Sequence, residues 1–395
     1  MATTEEQRTR QGRLFALVAL VLAAVNLRLA VTSIGPVLAE IRAGLGMSGA
    51  MAGLLTSLPV ICFASIGFAA PRSARRFGTG PVVTAGLGVL ALGLAIRPYA
   101  PGPVAFILFS GLALAGVALV NVLMPVIVKE RFPDRIGTMT GVYSVALNVG
   151  ATAAAAATVP LTRAFGGDWR IGLAVWAVVA ALAVPPWLVL ARDRVAPATE
   201  PDAVGSVAEL VGNPVAWALA VYFGLQSTSA YVMVGWLPQI YRDAGLSAET
   251  AGVLFGVTSF LGVPLTFVLS AVVNRLPGQS GIAATLGLFG IAGYAGLWFS
   301  PAAAPWVWAV LLGVVNCAFP LALTMIALRG RTPATVVRLS AFAQGVGYLI
   351  AIPGPILVGV LHDVSGGWRL PLAMMVVVMI PQLVAGVLAG RNRRI

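Results

Sequence analysis

The stretch EIRAGLGMSGAMAGLL (40–55) is answered in the second half of the chain by IYRDAGLSAETAGVL (240–254). Each carries an arginine, Arg42 or Arg242, then Ala-Gly-Leu, then Ser-x-x-x-Ala-Gly in the same order. In both, a serine precedes an apolar run, so Ser48 and Ser247 read as helix N-caps, with Glu249 placed favourably in the first turn. A weak match over so long a separation is how an internal duplication shows itself, and its copies should be built alike.

Two further matches keep the same order. VNVLMP (120–125) corresponds to VNCAFP (315–320), pairing Asn121 with Asn316 and Pro125 with Pro320. GGDWR (166–170) corresponds to GGWR (366–369), placing Trp169 and Trp368 at equivalent interfaces. Tryptophan belts are expected at such boundaries.

What the copies are made of follows from composition. Hydrophobic residues are 59% of the 395, charged residues only 10%, and there are 45 glycines, far from the balance of a water-soluble domain. A helix needs about 20 apolar residues to cross roughly 30 Å of hydrocarbon. Twelve such segments are expected, near 14–38, 49–70, 81–97, 103–128, 137–162, 171–191, 214–235, 248–273, 281–299, 305–328, 339–361 and 370–389. They are too long and too uniformly apolar for barrel strands, so the chain reads as an all-α membrane protein. The apolar run after the N-terminal MATTEEQRTRQGR is too long for a secretory leader and reads as a retained first helix.

The longest polar interval, 192–213, contains RDRVAPATEPDAVGS and reads as a cytoplasmic linker between a first bundle, 1–191, and a second, 214–395. Of the 25 Lys and Arg, Arg42, Arg97, Arg163, Arg170, Arg242 and Arg369 fall in loops of one side. Arg28 is mid-span, and the remaining 18 lie on the side of the termini. That asymmetry predicts both termini in the cytoplasm. The net charge of +12 follows this topology rule and forms no nucleic-acid-binding patch. Cys62 and Cys317 have no metal or redox spacing.

Two parallel six-helix repeats joined by a cytoplasmic linker resemble the major facilitator superfamily. The loop PRSARRFGTG (71–80) keeps that superfamily's basic pair and Gly78, with Arg75 where an aspartate is usual. NLRLAVTSIGPVL (26–38), NVLMPVIVKERFPDRIGTMTGVYSVALNVG (121–150) and AFAQGVGYLIAIPGPILVGVLHDVSGGW (341–368) further resemble the cyanate permease and 2-nitroimidazole transporter branch, with Leu29 in place of an expected proline. The resemblance implies two pseudo-symmetric six-helix bundles that rock around a central site in the inner (plasma) membrane, and a small substrate such as a cyanate-like anion or a nitroimidazole. It also implies a monomer. An efflux pump for neutral drugs is the competing expectation.

Arg28 is the residue the apolar pattern cannot explain. A charge at the bilayer centre costs about 2.5–3.5 kcal/mol on insertion scales, so it should face protein or water. From position 14 to 28 is about 21 Å of helix and from 28 to 38 about 15 Å, too deep to snorkel easily. No Asp or Glu falls well within the twelve segments, and a buried cation without a resident anion favours a visiting one. The plainer alternative is that Arg28 ties helices together through carbonyls.

Asn26 and Thr32 share its helix, Thr32 on the same face. In FGLQSTSAYVMVG (223–235), Gln226 and Tyr231 belong to the most polar mid-span run of the second half. Asn121 and Asn316 each stand four residues before a proline, which frees their carbonyls and invites a kink. Tyr143, Asn148, Gln344 and Tyr348 complete the candidate substrate contacts, with the two tyrosines equally readable as packing. The glycines around PGPILVG read as allowing close packing and bending. His362 reads as a helix-end residue. Nothing resembles a Walker sequence, a zinc motif or a Ser-His-Asp set, so no cofactor, metal or enzymatic activity is expected. The partners expected are the lipid bilayer, the small-molecule substrate and a co-transported or exchanged proton or anion.

Overall fold

The computed structural model describes residues 2–66, 69–192, 210–273, 275–276, 278–393 and 395, without the side chains of 2–11, 270, 333 and 334. Most of the expected linker, 193–209, therefore lies outside the described residues. Among those described, regular structure is helical throughout. The α-helices are α1 (Ala2–Thr32), α2 (Leu38–Leu45), α3 (Gly49–Ser65), α4 (Ala69–Phe77), α5 (Thr79–Ile96), α6 (Pro103–Arg131), α7 (Ile136–Ala164) and α8 (Trp169–Leu190). They continue as α9 (Pro214–Asp243), α10 (Ala248–Phe260), α11 (Gly262–Val273), α12 (Ser280–Phe299), α13 (Pro305–Val315), α14 (Ala318–Arg329), α15 (Pro333–Ala351), α16 (Pro353–Ser365) and α17 (Arg369–Ala389).

Local chemistry sets the boundaries. Ser48 and Ser247 both cap: the Ser48 hydroxyl accepts from the Met51 N–H at 3.3 Å and that of Ser247 from Thr250 at 3.1 Å. Asp168, Asn213 and Thr332 cap α8, α9 and α15 in the same way, supplying acceptors to otherwise unpaired N–H groups. Proline opens α6, α9, α13, α15 and α16, where its missing N–H costs nothing. Gly35 and Pro36 separate α1 from α2 for the converse reason, because proline cannot continue the hydrogen-bond ladder.

Among the described residues, ten helical stretches are long and apolar enough to cross a membrane, or eleven if α3 and α4 form one span. The segment expected at 214–235 is not among them. It folds as α9, a helix of 30 residues, and its Gln226-to-Ser229 run dilutes its apolar character. The segment expected at 339–361 is divided between α15 and α16 at Pro353, and 248–273 between α10 and α11 at Leu261.

The chain divides into two compact units, 1–37 with 62–199, and 38–61 with 200–395. Each is built on the same neighbour relations. In the first, α1 packs on α7 and α8, and α5 on α6 and α8; in the second, α9 packs on α15 and α17, and α12 on α13 and α17. Individual contacts repeat as well. Arg131 ends α6 and donates to the Leu190 carbonyl at 2.9 Å, while Arg329 ends α14 and donates to the Ala389 carbonyl at 3.0 Å. Both thereby place a cation at a helix C-terminus, where it complements the dipole.

Candidate functional site

In the first unit, α1 is held from several directions. Its backbone touches α7 where Gly150 lies against Val25, and a Cβ at Gly150 would overlap the Val25 carbonyl. About two turns farther along α1, the Thr32 hydroxyl donates to the Ala151 carbonyl of α7 at 3.2 Å and to the Arg28 carbonyl at 2.9 Å. Toward α8, the Trp187 indole donates to the Ala19 carbonyl at 2.9 Å, and the Asn26 amide to the Val179 carbonyl at 3.3 Å. Asn26 and Thr32 are 0% and 2% exposed; the Thr32 hydroxyl and the Asn26 amide nitrogen are engaged in fixing the helix, while Asn26 Oδ1 is buried with no partner among the described residues.

Arg28 differs from everything around it. From Ala19 to Leu38 it is the one exposed residue, among neighbours that are buried or half-buried. A helix face turned to lipid exposes residues three and four positions apart. Here the same-face neighbours Ala24, Val31 and Thr32 are buried and Val21 and Val25 half-buried. The guanidinium therefore emerges through a local opening in a packed face. Among the described residues its side chain makes no hydrogen bond or ion pair. Five N–H donors in a planar fork are left available at mid-span, a geometry matched to carboxylate-like and other planar anions.

The other expected residues of the first unit are placed as follows. Asn121 is half-buried in α6, which runs without interruption past Pro125. Tyr143 and Asn148 are half-buried in α7, with the Asn148 amide turned back to the Ser144 carbonyl at 2.9 Å.

In the second unit Gln226 is 3% exposed and donates to the Ser227 hydroxyl at 2.7 Å. Asn316 stands between α13 and α14, where the helix breaks, and its amide donates to the Thr258 carbonyl of α10 at 3.1 Å. The same Asn-x-x-x-Pro pattern therefore gives one unbroken helix and one broken one. Gln344 donates to the Ser340 hydroxyl at 2.6 Å, Tyr348 packs edge-on to Phe223 with ring centroids 5.1 Å apart, and Tyr231 is half-buried.

Sequence patterns pointed to neither of two further features. Arg97, placed by hydropathy in an outer loop, is fully buried beyond the end of α5 and bonds to the end of α1: Nη1 to the Ala30 carbonyl at 3.2 Å and Nη2 to the Ser33 hydroxyl at 3.0 Å. The second is an ionic cluster within the second unit. The arginines of the repeated motif, Arg42 and Arg242, pair with Asp363 at 2.8 Å and with both oxygens of Glu40 at 2.7 and 2.9 Å. Asp363 also accepts from the Gly49 N–H, and Asp243 from the Trp368 indole at 2.8 Å. His362 sits 3.5 Å from Asp363 and against Trp368. Beneath the cluster, Gly49 and Gly359 meet backbone to backbone. A linear reading sees these as separate loop charges, and only the packing of 38–61 on α9 and α16 brings them together.

Comparison with known proteins adds a context. The family model described as Major Facilitator Superfamily matches residues 20–352. The chain is 33% identical over 389 residues to the 2-nitroimidazole transporter of Escherichia coli (strain K12), covering 98% of each. It is 30% identical over 358 residues to the cyanate transport protein CynX of the same organism, covering 90% of this chain and 92% of that one. Among solved structures, the nucleoside transporter NupG superposes with a TM-score of 0.79 at 13% identity, covering 96% of this chain and 99% of that one, a likeness of fold alone.

Proposed function

This chain belongs to the major facilitator superfamily and is a transporter, and we propose that its cargo is a small anionic or polar compound, bound through Arg28. One observation carries this reading: a mid-span guanidinium that is exposed through an otherwise packed helix face and has no partner among the described residues. Keeping a cation at that depth is costly, and an anion that pairs with it recovers the cost only while bound. A nitroheterocycle presenting two coplanar nitro oxygens suits the fork, and a small linear anion such as cyanate can accept from it through one terminal atom. Relatives named for cyanate and 2-nitroimidazole transport support the same class.

The reading extends to a carrier in the inner membrane, both termini cytoplasmic, with bundles 1–191 and 214–395 joined by 192–213 and working as a monomer by alternating access. Its mode is facilitated diffusion, anion exchange, or co-transport of an anion with its proton, in either direction. Purified protein in proteoliposomes tests the cargo. Wild type should take up cyanate or a nitroimidazole saturably. The Arg28→Ala variant should lose about ten- to hundredfold in apparent affinity, the worth of a charged hydrogen bond. Wild-type uptake that prefers an organic cation, or a neutral drug with Arg28→Ala unchanged, would overturn the assignment.

A further inference from the structure

The end of α1 is interrupted at Ser33 and Ile34, only five residues past Arg28, before the Gly35–Pro36 turn. An interrupted helix leaves its last carbonyls without N–H partners. Leu29 is served by the Ser33 N–H at 3.1 Å, but the Ala30 carbonyl is served from another helix, by Arg97. The same guanidinium reaches the Ser33 hydroxyl, so it bridges the two sides of the break. Arg97 is 0% exposed, its Nε has no partner among the described residues, and Glu130, Asp134 and Asp168 of the same unit are engaged elsewhere. A cation wholly removed from solvent, held by one carbonyl and one hydroxyl and opposed by no carboxylate among the described residues, is an expensive arrangement for a mere filler. Unlike the helix-ending pair Arg131 and Arg329, it has no counterpart in the second unit, where Ser300 follows α12 at the matching place.

We propose that Arg97 is a positioning residue for the anion site: it clamps the interrupted end of α1, so that Arg28 is presented in one orientation, and its unmatched charge adds to the attraction for an anion. This rests on Arg28 being the substrate contact. The bulk of the clamp is supplied by the guanidinium stem, and its specificity by two donors of one planar group, which a lysine ammonium reproduces in charge but only in part in geometry.

Cyanate uptake into proteoliposomes, measured as KM and maximal rate per folded molecule, separates these ideas. Arg97→Met should raise KM about tenfold or more with the maximal rate within about twofold, the pattern of lost binding rather than lost folding. Arg97→Lys should restore KM to within about threefold of wild type, and Ser33→Ala, which keeps the charge and removes one acceptor, should fall between them. An unchanged KM in Arg97→Met overturns the proposal, as does a fall in rate and folded yield that lysine does not rescue. Should Arg97→Met not be recovered folded, Ser33→Ala decides, and an unchanged KM there is equally fatal. Failure of the underlying reading looks different: wild type itself shows no saturable anion uptake, or Arg28→Ala matches it.

Discussion

Two glycines of α7, nine residues apart, are expected to respond to the same substitution with opposite signs. At Gly141 an added Cβ meets nothing within 4 Å, whereas at Gly150 it would fall on the carbonyl, C and Cα of Val25 in α1. Replacing a mid-helix glycine by alanine gains about 0.5–1 kcal/mol from backbone entropy, and this applies to both sites. At Gly150 the obstacle is backbone, which cannot swing aside like a side chain, so an overpacking penalty of about 1–3 kcal/mol is set against that gain. Gly141→Ala should therefore melt above wild type in detergent, and Gly150→Ala should melt below Gly141→Ala by the equivalent of about 1–3 kcal/mol. Because Val25 lies one turn from Arg28, Gly150→Ala should also raise KM for the anion, while Gly141→Ala leaves it alone. Equal melting temperatures for the two variants, or a Gly150→Ala protein more stable than Gly141→Ala, would refute the close approach of α1 and α7 on which the site's construction depends.

Other expectations concern the second unit. Glu40 and Arg242 form a two-pronged pair that is about a third exposed or less on each side, so removing one partner should cost only about 0.5–1 kcal/mol, and the exchange Glu40→Arg with Arg242→Glu should recover part of it. A double variant no better than the sum of its singles in a thermal-melt cycle would count against the pairing. Arg329→Met strands the Ala389 carbonyl and the Gln279 amide oxygen in a buried place, while the Gly390 carbonyl keeps the Gln279 N–H at 2.8 Å. A loss of about 1–3 kcal/mol or more should follow, read as lowered melting temperature, and an unchanged melt would contradict the cap.

Hydropathy carried the fold because bilayer thickness imposes a length that shows directly in the sequence, and the duplication was visible because caps, prolines and tryptophans recur at fixed places. Among the described residues hydropathy was weakest at the bent pair α3 and α4 and at α9, and in α9 polar residues are concentrated, so the departure from the apolar pattern and the interest of the segment have the same origin. The candidate site was legible only where chemistry is anomalous in one dimension, as at Arg28. For Asn26 and Thr32, proximity along the helix was right, but their polar groups reach Val179 and Ala151 on other helices, and a spacing rule for one helix cannot tell a ligand contact from a helix-to-helix one. Arg97 was invisible because an arginine followed by proline after an apolar run is what a loop looks like. Its burial is decided by the broken end of α1, sixty-odd positions earlier in the chain. The paired prolines at 125 and 320 gave different outcomes, and the amide of Asn316 bound to Thr258 marks the helix that broke.

If Arg28 is the substrate contact proposed above, its having no carboxylate partner among the described residues also has an electrical consequence. A site that holds one positive charge when empty and none when loaded with a monovalent anion changes its coupling to the membrane potential with every binding event. Moving the empty site across the full field would involve at most about 2.3 kcal/mol per 100 mV, and moving the loaded one would involve almost none. Transient charge movements recorded from proteoliposomes on a solid-supported membrane should therefore diminish as substrate saturates, and should vanish in Arg28→Ala. The voltage across the membrane would then act on the return of the unloaded carrier, leaving the loaded step electrically silent.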